Sequence, residues 1–311
     1  MMNSIFFNSR LSDDERRTKL YDGQVFVYSA SPAALRFIEL AKEMIHEAFP
    51  GLDPLRLQDV MPVEQCVEIL AALKPRFIHD PRSKQCIRDL LVERGCDPER
   101  TYFDVPRMRT AFPSDYLSSG IAYAFHPHRD TWYSAPQNQL NWWFPIFDVS
   151  DENVMAFHPH YWDHPLKNSS RGYNYYEWNA QNRATAAQHV KSDTRVQPKP
   201  EEPVQLDPQV RVVAEPGGVM IFSGAQLHST VPNHSRFTRF SIDFRTVNLD
   251  DAMQRRGAPN IDSECTGTTM RDYLRVTDLA HLPDDVVALY NDGTEVEGAE
   301  LIYHANVEAT A

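Results

Sequence analysis

Apolar residues recur along this chain at two different spacings, and the change of spacing divides it. Within residues 33–49, Leu35, Ile38, Leu40, Ala41, Ile45 and Ala48 follow at near-helical intervals, behind Ser31-Pro32 and ahead of Pro50-Gly51. The pattern predicts an amphipathic helix. Residues 62–73 and 83–94 look like two further helices, so the first 100 residues read as mostly helical. Residues 24–28, rich in β-branched and aromatic side chains, predict one short strand among them. Residues 1–22 are polar and charged, which predicts a loosely held arm.

The pattern changes near Thr101. From there to residue 248, short apolar or alternating runs are divided by Pro, Gly, Asn and Asp: 120–125, 139–149, 154–157, 210–214, 218–222 and 236–247. Several short strands with turn punctuation predict a closed or double-sheet β architecture, with the N-terminal helices over one outer face. Within the last run Phe240, Ile242 and Phe244 take one face, and Arg239, Ser241, Asp243 and Arg245 the other. Two connections are long: residues 161–209 and the tail from Leu249 to residue 311. The first interleaves Tyr173, Tyr175, Tyr176 and Trp178 with Asn and Arg, then turns Pro-rich over 198–208. It reads equally as a lid or as a subunit interface, which would make a homodimer.

Composition narrows the function. A length of 311 residues with 42% hydrophobic and 11% aromatic content allows a large core, read here as a single domain over 1–311. The net charge of −12 argues against a broad basic patch for nucleic acid or anionic lipid. No apolar run approaches a membrane span, and the start is too short in apolar residues for a signal peptide. Cys66, Cys86, Cys96 and Cys265 form no zinc spacing and read as reduced buried thiols, consistent with a cytoplasmic protein.

Candidate chemistry centres on His128 and Asp130, the one His-x-Asp among twelve histidines. At the end of a strand, alternate residues share a face, so both side chains can grip one cation; Ala122 and Ala124 on that face would leave room for a ligand. The third ligand is sought at His228, after an apolar strand ending in small residues, with His234 as a rival. Two histidines and a carboxylate are the facial set of non-heme iron sites. On the later strand, an inward Arg239 would meet a carboxylate with a guanidinium fork, unless it merely pairs with Asp243; Arg236 and Arg245 are weaker rivals. His126, His158, His160 and His164 read as hydrogen-bonded pocket or surface residues, and Trp142-Trp143 as core.

His128-Arg-Asp130, His228, and Arg239 with Ser241 two residues on resemble the Fe(II)/2-oxoglutarate-dependent dioxygenases, in particular the phytanoyl-CoA dioxygenase superfamily. The run 141–153 and Phe157-His-Pro-His160 are also similar to that superfamily, although its two glycines here are missing. The resemblance covers roughly residues 101–248. It implies a double-stranded β-helix (jelly-roll, cupin-like) core, Fe(II) on His128, Asp130 and His228, and 2-oxoglutarate on Arg239 with Ser241, Thr230 and Asn141 in support. The implied reaction consumes O2 and oxidises a small organic metabolite or natural-product intermediate. A jelly-roll metal oxygenase without 2-oxoglutarate, and a catalytically silent binding protein, are the alternatives.

Overall fold

The computed structural model describes residues 4–114, 116–121, 126–190 and 192–291. In chain order, β1 (Ile5–Phe7), α1 (Asp13–Tyr21) and β2 (Val25–Tyr28) precede α2 (Pro32–Ala48), α3 (Leu57–Val60), α4 (Val63–His79) and α5 (Pro81–Glu93). The sheets continue with β3 (Thr101–Phe103), β4 (Arg107–Ala111), β5 (Leu140–Pro145), β6 (Met155–Phe157), β7 (Val210–Arg211), β8 (Val219–Ser223), β9 (His228–Thr230), β10 (Arg239–Asn248) and β11 (Leu274–Arg275). Helix α6 (Tyr175–Gln181) lies between β6 and β7, and α7 (Leu249–Gln254) and α8 (Asp284–Ala288) lie beyond β10.

Strand β10 organises the larger sheet, whose order is β1-β2-β8-β5-β10-β3-β11 with β4 also paired to β10. Phe240, Ile242 and Phe244 are fully buried in one core with Phe37, Met44, Leu70 and Leu90 of the helices. The opposite face of this sheet meets the smaller sheet, ordered β7-β6-β9. There Val27, Trp143 and Phe222 pack with Met155, Phe157 and Val212, and the rings of Phe157 and Phe222 meet edge to face at 4.9 Å. Helices therefore cover one face of the larger sheet, and a second sheet covers the other. Arg239, Asp243 and Arg245 of β10 point into the space between the sheets.

Several expectations are corrected. The N-terminal arm is not loose: β1 pairs in parallel with β2, Ser12 and Glu15 form a capping box for α1, and Leu20 and Tyr21 are buried. Its charges are partnered rather than solvated, with Arg17 Nε donating to Asp251 at 2.6 Å and Arg16 to Asp13 at 2.5 Å. Helix α4 passes through Pro75 to His79, anchored by the fully buried Phe77. The run 139–149 leaves the sheet at Pro145, and only Val210–Arg211 of 210–214 is paired. Residues 122–125, and with them Ala122 and Ala124, lie outside the described residues. Strands β3 and β11 are too short for a spacing signal, and β4, Arg-Met-Arg-Thr-Ala, has too few apolar residues for one. Cys86 and Cys265 are only partly buried, while Cys66 and Cys96 are buried; all four are free thiols.

Neither long connection is featureless. The ends of one are clasped by Ser169 N–H donating to Lys199 O at 3.0 Å and Glu201 N–H to Lys167 O at 2.8 Å. Inside it, Asn174 caps α6, and Tyr173, Tyr175 and Tyr176 are buried against one another. The tail forms its own core, where Leu249, Ala252, Met270, Tyr273, Leu282, Val286 and Val287 close over Tyr102 and Val247.

Candidate metal centre and adjoining pocket

A single antiparallel bridge brings the two histidines together. His128 N–H donates to His228 O at 2.9 Å, and the reverse bond is 3.0 Å, which sets the imidazole centroids 4.3 Å apart. Asp130 follows a different rule from the one its spacing implies. It opens the 3-10 turn Asp130–Tyr133, and its N–H donates to Gly224 O at 2.8 Å. The turn after β8 therefore aims the carboxylate, rather than the pleat of a strand. A Cβ on Gly224 would stand 3.1 Å from Gln139 Nε2 and 3.5 Å from Asp130 Cβ, so a larger side chain would push on this arrangement. Between the two ligands, buried Arg129 turns away to Ala225 O at 2.6 Å and Asp262 at 3.1 Å, stitching the turn to the tail.

His128, Asp130 and His228 each offer an atom within 4.8 Å of the others. His128 Nε2 is 3.5 Å and His228 Nε2 3.9 Å from Asp130 Oδ1. The far nitrogens are engaged: His128 Nδ1 lies 2.9 Å from His126 O, and His228 Nδ1 2.9 Å from Gln226 O. A carbonyl can only accept, so Nδ1 carries a proton in each ring, and Nε2 is the atom that faces the carboxylate. The other carboxylate oxygen, Oδ2, accepts from Gln139 Nε2 at 2.9 Å and Asn141 Nδ2 at 2.7 Å. Burial pushes Asp130 toward neutrality, but the His128 hydrogen bond and the charge of Arg245 outweigh it and hold the acid well below the usual range. Burial, reinforced by His128, brings His228 down to about 3. Two imidazole Nε2 atoms and a carboxylate oxygen, each group oriented by a second partner, form a donor set that fits a divalent transition metal.

The adjoining pocket lies between the sheets. His128, Asp130, Asn141, Trp143, Met155, Phe222, His228, Thr230, Arg239, Asp243, Arg109 and Arg245 line it. Arg239 is buried, its guanidinium 5.8 Å over the Trp143 ring, and Nη1 donates to Asn153 O at 2.9 Å. Its Nε is buried with no hydrogen-bond partner among the described residues, and so is the hydroxyl of Ser241. Burial brings this guanidinium down to about 10, opposed by Asp243 and aided by Arg109. An unpartnered buried N–H on a cation costs free energy unless an anion meets it, so the pocket suits a carboxylate. Arg109 Nε donates to Asp243 at 2.5 Å.

Six of the seven residues singled out by sequence line this pocket; Ser241 lies on the same face of β10, fully buried, without lining it. The rival residues His234 and Arg236 are exposed and outside the cluster. Asn141 is committed to Asp130. His158 is a buried hydrogen-bonded residue, its Nε2 2.9 Å from Ser229 Oγ, and His126 Nε2 lies 2.7 Å from Pro198 O. His160 and His164 stack at 4.6 Å away from the pocket. Tyr173, Tyr175 and Tyr176 do not line the pocket. Arg109 and Gln139 carried no signal of their own: Arg109 meets Asp243 134 residues away, and Gln139, though only nine residues from Asp130, is turned to it by the turn between them rather than by a periodic pattern.

No protein-family model and no curated protein matches this chain. Among solved structures it is similar to EvdO2 from Micromonospora carbonacea var. aurantiaca complexed with 2-oxoglutarate, at 13% identity, TM-score 0.43, covering 76% of this chain and 91% of that one. AviO1 from Streptomyces viridochromogenes Tue57 is similar at 15% identity and TM-score 0.39, over 81% and 100% of the two chains. The α-ketoglutarate-dependent epimerase SnoN from nogalamycin biosynthesis is similar at 14% identity and TM-score 0.38, over 76% and 84%.

Proposed function

We propose that the chain is a non-heme Fe(II)- and 2-oxoglutarate-dependent oxygenase of the phytanoyl-CoA dioxygenase type, built on a double-stranded β-helix core. The observation that carries the reading is Arg239: a buried guanidinium with an unpartnered Nε, in the same pocket as the His–Asp–His cluster. His128 Nε2, His228 Nε2 and Asp130 Oδ1 would hold the metal. Bound iron with 2-oxoglutarate and O2 supplies the oxidising power to functionalise a C–H bond, one oxygen atom going to substrate and the other to succinate as CO2 leaves.

The protein's own contribution is orientation and exclusion. Arg239 takes the far carboxylate of 2-oxoglutarate through its fork, with Ser241 and Thr230 as polar support. Asn141 acts through Asp130, by holding Oδ2. Trp143, Met155 and Phe222 form apolar walls that keep water from the reacting centre. The substrate class we assign is a small organic metabolite, with hydroxylation as the default outcome and desaturation, cyclisation or epoxidation within reach of the same chemistry. Among the described residues no helix is long and apolar enough to cross a membrane.

The test is an anaerobic titration of protein and Fe(II) with 2-oxoglutarate. The reading expects a weak visible charge-transfer band that saturates with cosubstrate. A protein that binds Fe(II) but develops no band would be a metal protein that does not use 2-oxoglutarate.

A further inference from the structure

Tyr273 belongs to the C-terminal segment, far from the metal ligands in sequence, yet its hydroxyl lies 2.8 Å from Gln139 Oε1. Gln139 in turn donates to Asp130 Oδ2 and to Asn141 Oδ1, both at 2.9 Å. Tyr273, Gln139, Asn141 and Asp130 are all buried, so leaving one of these polar groups unpaired is costly.

The directions of these bonds follow from chemistry. A carboxylate only accepts, so Gln139 must turn its NH2 toward Asp130, which leaves Oε1 facing the other way. The group waiting there is the Tyr273 hydroxyl, which donates. Asn141 accepts from the same Gln139 NH2, so its own NH2 is also turned to Asp130, at 2.7 Å. The carboxylate thus fixes the orientation of both amides, and the phenol holds Gln139 from behind by satisfying the Oε1 that this orientation turns away from Asp130. Together the amides occupy Oδ2 and leave Oδ1 toward the two Nε2 atoms. Tyr273 is placed by the tail's own core, beside Met270 and Leu249.

We propose that Tyr273 is a positioning residue for the metal site, acting through Gln139 on Asp130, so that the C-terminal segment is part of the metal-binding apparatus. The proposal rests on the metal reading above.

Co(II) titration followed by visible absorption tests it. Wild-type protein is expected to bind one Co(II) with a defined ligand-field spectrum. Tyr273→Phe, which keeps the ring in its cluster, should bind about tenfold more weakly with an altered spectrum, while the metal-free protein stays folded with a thermal midpoint lowered by the unpaired Gln139 Oε1. Gln139→Leu should lose at least as much. The double variant should be no weaker than Gln139→Leu alone, because both act through one amide. Unchanged affinity and spectrum in Tyr273→Phe would overturn the relay, as would additive losses in the double variant. Should Gln139→Leu fail to fold, Tyr273→Phe decides alone. Wild-type protein that takes up no Co(II) would overturn the metal reading itself, and the relay with it.

Discussion

Replacing Arg239 by alanine removes a buried pocket cation whose Nε has no hydrogen-bond partner among the described residues. The side chain is only 4% exposed, so the contact it makes with a bound carboxylate is shielded from water. Losing a charge-assisted fork in such a place costs ~2–5 kcal/mol, which is roughly 30-fold to several-thousand-fold in affinity. The substitution also strips Asn153 O of its 2.9 Å donor, at a cost of about 1–3 kcal/mol in folding stability. Cosubstrate affinity and the unfolding midpoint therefore have to be measured on the same preparation. We expect Arg239→Ala to retain its iron, to unfold at a lower temperature, and to need far more 2-oxoglutarate for half-maximal succinate formation. Arg239→Lys should fall between, keeping the charge but not the planar fork. Calorimetric titration of the Fe(II) protein with 2-oxoglutarate under argon separates binding from turnover. Wild-type affinity in the folded Arg239→Ala protein would refute the assignment and shift the anchor to Arg109 or Arg245, which line the same pocket.

His228→Ala and Asp130→Ala should each abolish tight metal binding by elemental analysis, whereas His234→Ala, exposed and outside the cluster, should keep it. Leu20→Ala should lower stability by ~2–5 kcal/mol in urea unfolding, since Leu20 is fully buried in the main core; a change below about 0.5 kcal/mol would restore the picture of a loose arm. Burial holds His158 below its ordinary 6.5, so the unfolded chain takes up that proton first and stability falls as pH drops beneath about 6.5. His158→Gln should therefore lose less stability than wild type in paired urea titrations between about pH 7.5 and about pH 5.5, roughly one unit either side of the ordinary imidazole pKa.

Much of the site was legible because its chemistry sits on local patterns. The alternation along β10 predicts that Phe240, Ile242 and Phe244 share one face and Arg239, Ser241, Asp243 and Arg245 the other, and strand geometry alone enforces that division. The His-x-Asp pair and a histidine after an apolar strand likewise mark candidate ligands by residue type. The helices of the first third follow from apolar spacing in the same way. Polarity was a poorer guide at the N-terminus, where paired charges imitate solvated ones: Arg17 looks like a surface residue until Asp251 meets it.

What no local pattern carries is which partner a side chain meets. His128 and His228 are 100 residues apart in number and are joined by one backbone bridge. Asp130 is aimed by the carbonyl of Gly224, and Oδ2 is occupied by two amides, one of which, Gln139, accepts from Tyr273 in the tail. Residue type and periodicity, which the chain carries by itself, determine the faces, the helices and the candidate ligands. The tertiary structure decided how those ligands converge, because hydrogen-bond satisfaction in a buried site is settled between segments distant in sequence and leaves no periodic trace in any one of them.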